Sequence, residues 1–160
     1  MEATLKNVSQ LEYEARNREI DNEYTNRQHE ATKQYYEEID KISREIEQVR
    51  KQYQTEREEQ LNVIDEKLAI RNQLRRSGHA DHSMEMEENY LQERMAQRVL
   101  ADLKENFRYD MARLKELARH KRMAYESLCN INRNWLNAEQ AKNRTAFAKV
   151  LAKAAMETAA

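Results

Sequence analysis

The sequence predicts an all-α protein: two long amphipathic helices joined by a short glycine-containing turn, forming a helical hairpin or bent rod that assembles in an oligomeric helical bundle. Three observations carry this. Gly78 is the only glycine in 160 residues and there is no proline, so the two strongest helix breakers are missing almost everywhere. Apolar residues recur at steps of three and four in both halves of the chain. The rest is highly charged, with 36% Asp, Glu, Lys and Arg and a mean hydropathy of −1.13, which leaves too little apolar mass for a thick globular core. Disorder is the other reading of such a composition, but eight Tyr, seven Met and regularly placed Ile and Leu argue against it.

The first helical arm is expected over residues 1–76. Tyr35, Ile39, Ile42, Ile46, Val49 and Tyr53 step by four and three, and the stripe resumes at Leu61, Ile64, Leu68 and Leu74. Upstream the seam is thinner and shifted in phase, through Tyr13, Ile20, Tyr24 and Ala31, so this third of the chain is expected to need partners.

A turn or hinge follows over residues 77–83, in "RRSGHADHSMEME". Ser77 and Gly78 end the first helix, because glycine takes the left-handed conformation after a helix without a Cβ clash, and Arg75 and Arg76 suit the negative helix end. Asp81 or Ser83 is the expected cap of the second helix. Glu85, Glu87 and Glu88 then lie where the helix dipole favours acids.

The second arm is expected over residues 84–145. Its apolar stripe runs through Leu91, Met95, Val99, Leu103, Phe107, Met111, Leu114 and Ala118, then Tyr125, Leu128, Ile131, Trp135 and Ala138. Steps of four outnumber steps of three in the first run, so a regular left-handed supercoil is not expected. Arms of about 70 residues, roughly 100 Å each at 1.5 Å per residue, leave two geometries: a closed antiparallel hairpin, or an open bend in which each arm packs on other chains. The short connection favours antiparallel neighbours.

Charge is unevenly distributed around a total of −1. Residues 1–76 carry a net −3, residues 77–97 a net −4 and residues 98–160 a net +6. The densest basic run, "RLKELARHKR", holds Arg113, Lys115, Arg119, Lys121 and Arg122. These are candidates for contact with phosphate, as in non-specific DNA binding, or with an acidic partner helix.

Catalytic chemistry finds little support. His79, Asp81, His82 and Glu85 are residue types that bind metals, but "HADHSME" matches no specific ligand pattern. There is no phosphate-cradling glycine loop, and polar residues on exposed helix faces form no pocket. No catalytic residue, cofactor or metal is therefore expected. The sole cysteine, Cys129, cannot form an intrachain disulfide and reads as a structural thiol. "NRT" at Asn143 fits a glycosylation acceptor, but "MEATLKNVSQ" lacks the pattern of a signal peptide and no segment reaches the roughly 18–20 apolar residues of a spanning helix, so a soluble chain is expected.

The end of the chain differs in kind. "AFAKVLAKAAMETAA", residues 146–160, holds seven Ala beside Phe147, Val150, Leu151 and Met156. Small residues let helices approach closely, which makes these four apolar side chains candidates for oligomer or membrane contact.

The order of parts resembles a known family. A long polar helix, the turn "AIRNQLRRSGHADHSMEME", a second long helix with aromatic-plus-Arg stretches such as "ENFRYDMARL", and the Ala-rich end are similar to the smaller internal virion (ejection) proteins of short-tailed bacteriophages. The resemblance covers about residues 60–160 and is one of architecture. It implies a multi-copy protein held inside the capsid near the portal, packed as a homo-oligomer with other virion proteins of the portal-proximal core. On infection such a protein would be released into the host cell envelope to help form a conduit through the outer membrane for the genome. The competing expectation is a structural coiled-coil adaptor or stalk linking two partners. A DNA-packing protein would explain the basic second arm but not the acidic first.

Overall fold

The computed structural model describes residues 2–78 and 83–159. All but Gly78 lie in two helices, α1 (Glu2–Ser77) and α2 (Ser83–Ala159). The arms close on each other within one chain, so the hairpin is the geometry adopted. Ser77, expected in the turn, is the last residue of α1, and the Ala-rich end continues α2 without interruption.

The helices persist because their exposed positions are strong helix formers spaced for mutual support. Asp40 and Glu47 each sit four residues before a cation, pairing with Arg44 at 2.7 Å and Lys51 at 3.4 Å. That order agrees with the helix dipole, and each such pair contributes about 0.3–0.5 kcal/mol. α1 ends where the sequence places its stop. Gly78 has φ +67°, and the Ser77 hydroxyl donates to the carbonyl of Leu74 at 2.8 Å, satisfying one of the carbonyls a helix end leaves open.

An added Cβ at Gly78 would meet no atom of the described residues within 4 Å. Gly78→Ala therefore tests backbone strain alone. It is expected to cost about 1–2 kcal/mol in thermal or denaturant unfolding, and Gly78→Asn less, since Asn tolerates the left-handed region. The expected caps divide: Asp81 lies outside the described residues, as do His79 and His82, while Ser83 is the first helical residue of α2.

Contacts divide the chain into two units, one of Met1–Ile39 with His120–Ala160 and one of Asp40–Arg119. We call them the terminal unit and the turn unit. Each pairs a stretch of α1 with an antiparallel stretch of α2, and the core of each is a single seam. In the terminal unit Ile20 and Ala31 are buried; in the turn unit Ile42, Ala96, Met111 and Leu114 are. Ile20, Ala31 and Ile42 recur every eleven residues, a spacing close to the natural helical period, so the phase shift expected near the start of α1 is not present.

The apolar stripe is corrected in a second respect. Leu68, Leu91, Met95, Val99, Leu128 and Ile131 were expected on the packed face, yet all are exposed. The positions that face α1 instead include Asn89, Glu93 and Asn132. Polar residues at seam positions are invisible to a search for apolar periodicity.

Candidate interaction surfaces

The terminal unit is specified by paired rings and amides. Tyr13 stacks on Phe147 with centroids 4.7 Å apart, and Tyr35 on Tyr125 at 4.6 Å. Between them lie polar layers. The Asn143 amide donates to Asn17 Oδ1 at 2.8 Å and to the Tyr13 carbonyl at 3.1 Å, and the Asn132 amide donates to Gln28 Oε1 at 2.9 Å. The Thr32 and Tyr125 hydroxyls are 3.0 Å apart. Arg27 covers the Trp135 ring at 4.1 Å, a cation–π contact of about 0.5–1 kcal/mol. Such layers fix register more than they add stability, because a slipped pairing strands the amides in the seam. Asn143 is thus committed to the seam rather than presented as a glycosylation acceptor.

The turn unit holds the most unusual side-chain cluster. Arg71 is 7% exposed and forms an ion pair with Glu93 across the hairpin. Its guanidinium lies 5.0 Å from the centre of the Tyr90 ring, and Arg94 approaches the same ring at 5.6 Å. Arg71 Nε is buried and has no hydrogen-bond partner among the described residues. A cleft of 320 Å³ adjoins the cluster, lined by Arg71, Arg75, Tyr90 and Arg94 among others. Sequence reasoning missed this group. The available signal was the spacing, since Arg71 falls seven residues after Ile64 on the packed face.

The sequence-predicted basic run is not assembled into one patch. In the turn unit, Arg119 pairs with Glu116 at 3.1 Å, whereas Arg113 and Lys115 have no carboxylate within ion-pair distance among the described residues. At about 100° per residue Arg113 points some 200° away from Lys115. In the terminal unit, Lys121 pairs with Glu38 at 3.4 Å across the hairpin and Arg122 with Glu126 at 4.0 Å. Three of the five cations thus have a carboxylate nearby.

The tail residues divide as well. Phe147 and Leu151 are half-buried, Phe147 through its stack on Tyr13, whereas Val150 and Met156 are 49% and 76% exposed. Cys129 is a half-buried free thiol. Among the described residues, no group of three or more His, Cys, Asp or Glu could hold a metal ion, and no helix is long and apolar enough to cross a membrane.

The distribution of exposed apolar side chains is lopsided. Among the described residues α1 exposes four large ones, Val8, Leu11, Tyr36 and Leu68, while α2 exposes twelve. Scattered surface hydrophobes are ordinary, but here their excess falls on α2. No family model, curated protein or solved structure matches this chain.

Proposed function

We propose that this protein is a non-enzymatic structural subunit that works in multiple copies, as an internal virion (ejection) protein of a short-tailed phage. The observation that carries the multi-copy reading is the twelve large apolar side chains exposed on α2 beside a core of six buried apolar residues among those described. A seam this narrow leaves much of the hydrophobic surface in water, and packing against other copies removes it. The virion reading is finer and rests on the order of parts: two long helices, the glycine turn and the Ala-rich end. In that setting the hairpins would stack beside other portal-proximal proteins, and the unpaired Lys115 would be available to phosphate. After release, the exposed Val150 and Met156 would meet the host outer membrane.

One observation favours the adaptor reading instead. Phe147 is stacked on Tyr13, so the largest apolar side chain of the tail serves the hairpin itself and a membrane role would have to displace it.

Light scattering on the purified protein, with and without liposomes, tests both levels. A discrete oligomer that grows on meeting lipid and releases an entrapped dye supports the ejection reading. An oligomer indifferent to lipid retains the multi-copy subunit and transfers the assignment to an adaptor. A monomer throughout the micromolar range overturns both.

A further inference from the structure

We infer that the outward face of α2 in the turn unit is the contact surface for a second copy of this chain, paired antiparallel about a two-fold axis between residues 100 and 101. The inference rests on the multi-copy reading and adds a surface, a direction and a register to it.

The face is defined by six exposed side chains: Met84, Leu91, Met95, Val99, Tyr109 and Leu117. At about 100° per residue they fall within an arc of some 80°, centred roughly 120° from the face that packs on α1. It is therefore a second apolar stripe, separate from the hairpin seam, with a polar middle at Asp102.

Charge decides the occupant. Six charged residues lie on or within about 20° of this arc: Asp110 is half-buried and Glu116 pairs with Arg119 at 3.1 Å, while the other four, Glu88, Arg98, Asp102 and Arg113, are exposed. Among the described residues none of the four has an ion pair or side-chain hydrogen bond. Their order along the helix is acid, base, acid, base, which is complementary to its own reverse. Antiparallel pairing about the proposed axis sets Glu88 opposite Arg113 of the second copy and Arg98 beside Asp102 of the second copy. Because a two-fold contact is isologous, each pair occurs twice. The same register sets Met84 on Leu117 and Leu91 beside Tyr109, with Val99 near its own counterpart; the two Asp102 side chains also approach each other at the axis, each flanked by Arg98 of the other copy. Parallel pairing would instead oppose Glu88 to Glu88 and Arg113 to Arg113, which like-charge repulsion disfavours.

Cysteine crosslinking in the full-length chain tests the register. In a Cys129→Ser background, Val99→Cys is expected to form a disulfide-linked dimer by itself under mild oxidation, since the two copies of residue 99 lie about 4.5 Å apart along the axis. Met84→Cys alone is expected to form none, its copies being about 50 Å apart, but to crosslink when mixed with Leu117→Cys. Glu88→Arg is expected to weaken self-association about tenfold, and adding Arg113→Glu to the same chain to restore it. The crosslinked and charge-swapped positions are all exposed and Cys129 is half-buried, so retained helicity by circular dichroism, the Cys129→Ser background included, confirms that each variant folds. Self-crosslinking of Met84→Cys, or no crosslink at Val99→Cys in a protein that scatters as an oligomer, overturns the register while leaving the multi-copy reading intact. A strictly monomeric parent overturns both.

Discussion

Glu93→Ala is expected to lower stability by about 3–5 kcal/mol, read as the shift of the denaturant midpoint at constant slope. Arg71 has a side chain only 9% exposed and Glu93 one only 15% exposed, so removing the carboxylate leaves a guanidinium largely shielded from water. Arg71 Nε already lacks a hydrogen-bond partner among the described residues, and Tyr90 supplies only the face of a ring. The cost therefore comes from the uncompensated charge left behind rather than from the worth of the pair. The double variant Arg71→Met with Glu93→Leu is expected to recover most of the loss, because two apolar side chains of similar volume fill the same seam with no desolvation cost. Asp40→Ala supplies the contrast. Its pair with Arg44 is 58% and 74% exposed, and the expected loss is about 0.5 kcal/mol. Equal effects from Glu93→Ala and Asp40→Ala would show that Arg71 is hydrated in solution.

Leu114→Ala is expected to cost about 3–4 kcal/mol. Leu114 and Ile20 are the largest side chains with no exposed surface among the described residues, one in each unit. Truncation removes transfer energy and leaves a cavity that a two-helix seam has few neighbours to refill. Ile20→Ala is expected to behave alike. Ile131→Ala, at a residue expected on the seam but 59% exposed, is expected to shift the monomer's stability by no more than about 0.5 kcal/mol. The comparison of Leu114 with Ile131 separates the two apolar stripes of α2, since only the first holds the hairpin together.

That double stripe explains why part of the fold was legible in the sequence and part was not. The helical class, the single break and the left-handed glycine followed from residue types alone. Tyr35 to Tyr53 and Leu103 to Ala118 stepped along a face that the structure packs, because there one apolar stripe coincided with the seam. Around Leu91, Met95 and Val99 the reading selected the wrong stripe: α2 is apolar on two sides, and the seam side is filled by Asn89, Glu93 and Ala96. Periodicity could put Arg71 on the packed face, but it could not read the pairing of Arg71 with Glu93 or of Asn17 with Asn143. Each is a polar residue made tolerable at a seam position by a partner on the other helix, and that partner is defined only once the register is known. The basic run was visible as composition, but which of its cations find a carboxylate depends on the same register.

The partner numbers hold one more consequence. In the terminal unit the opposed pairs Tyr13–Phe147, Asn17–Asn143, Gln28–Asn132 and Tyr35–Tyr125 all have residue numbers that add to 160, and in the turn unit Tyr53 and Phe107 keep that sum. A deletion in one helix alone would break the sum for every pair on the far side of it from the turn, replacing ring-on-ring and amide-on-amide with mismatches. Related chains can therefore lengthen or shorten only by matched changes at mirrored positions of the two helices, in blocks that restore the same helical face. Eighteen residues, five whole turns at 3.6 residues each, is such a block. The two helices are thus coupled in length, each insertion in one requiring its mirror image in the other.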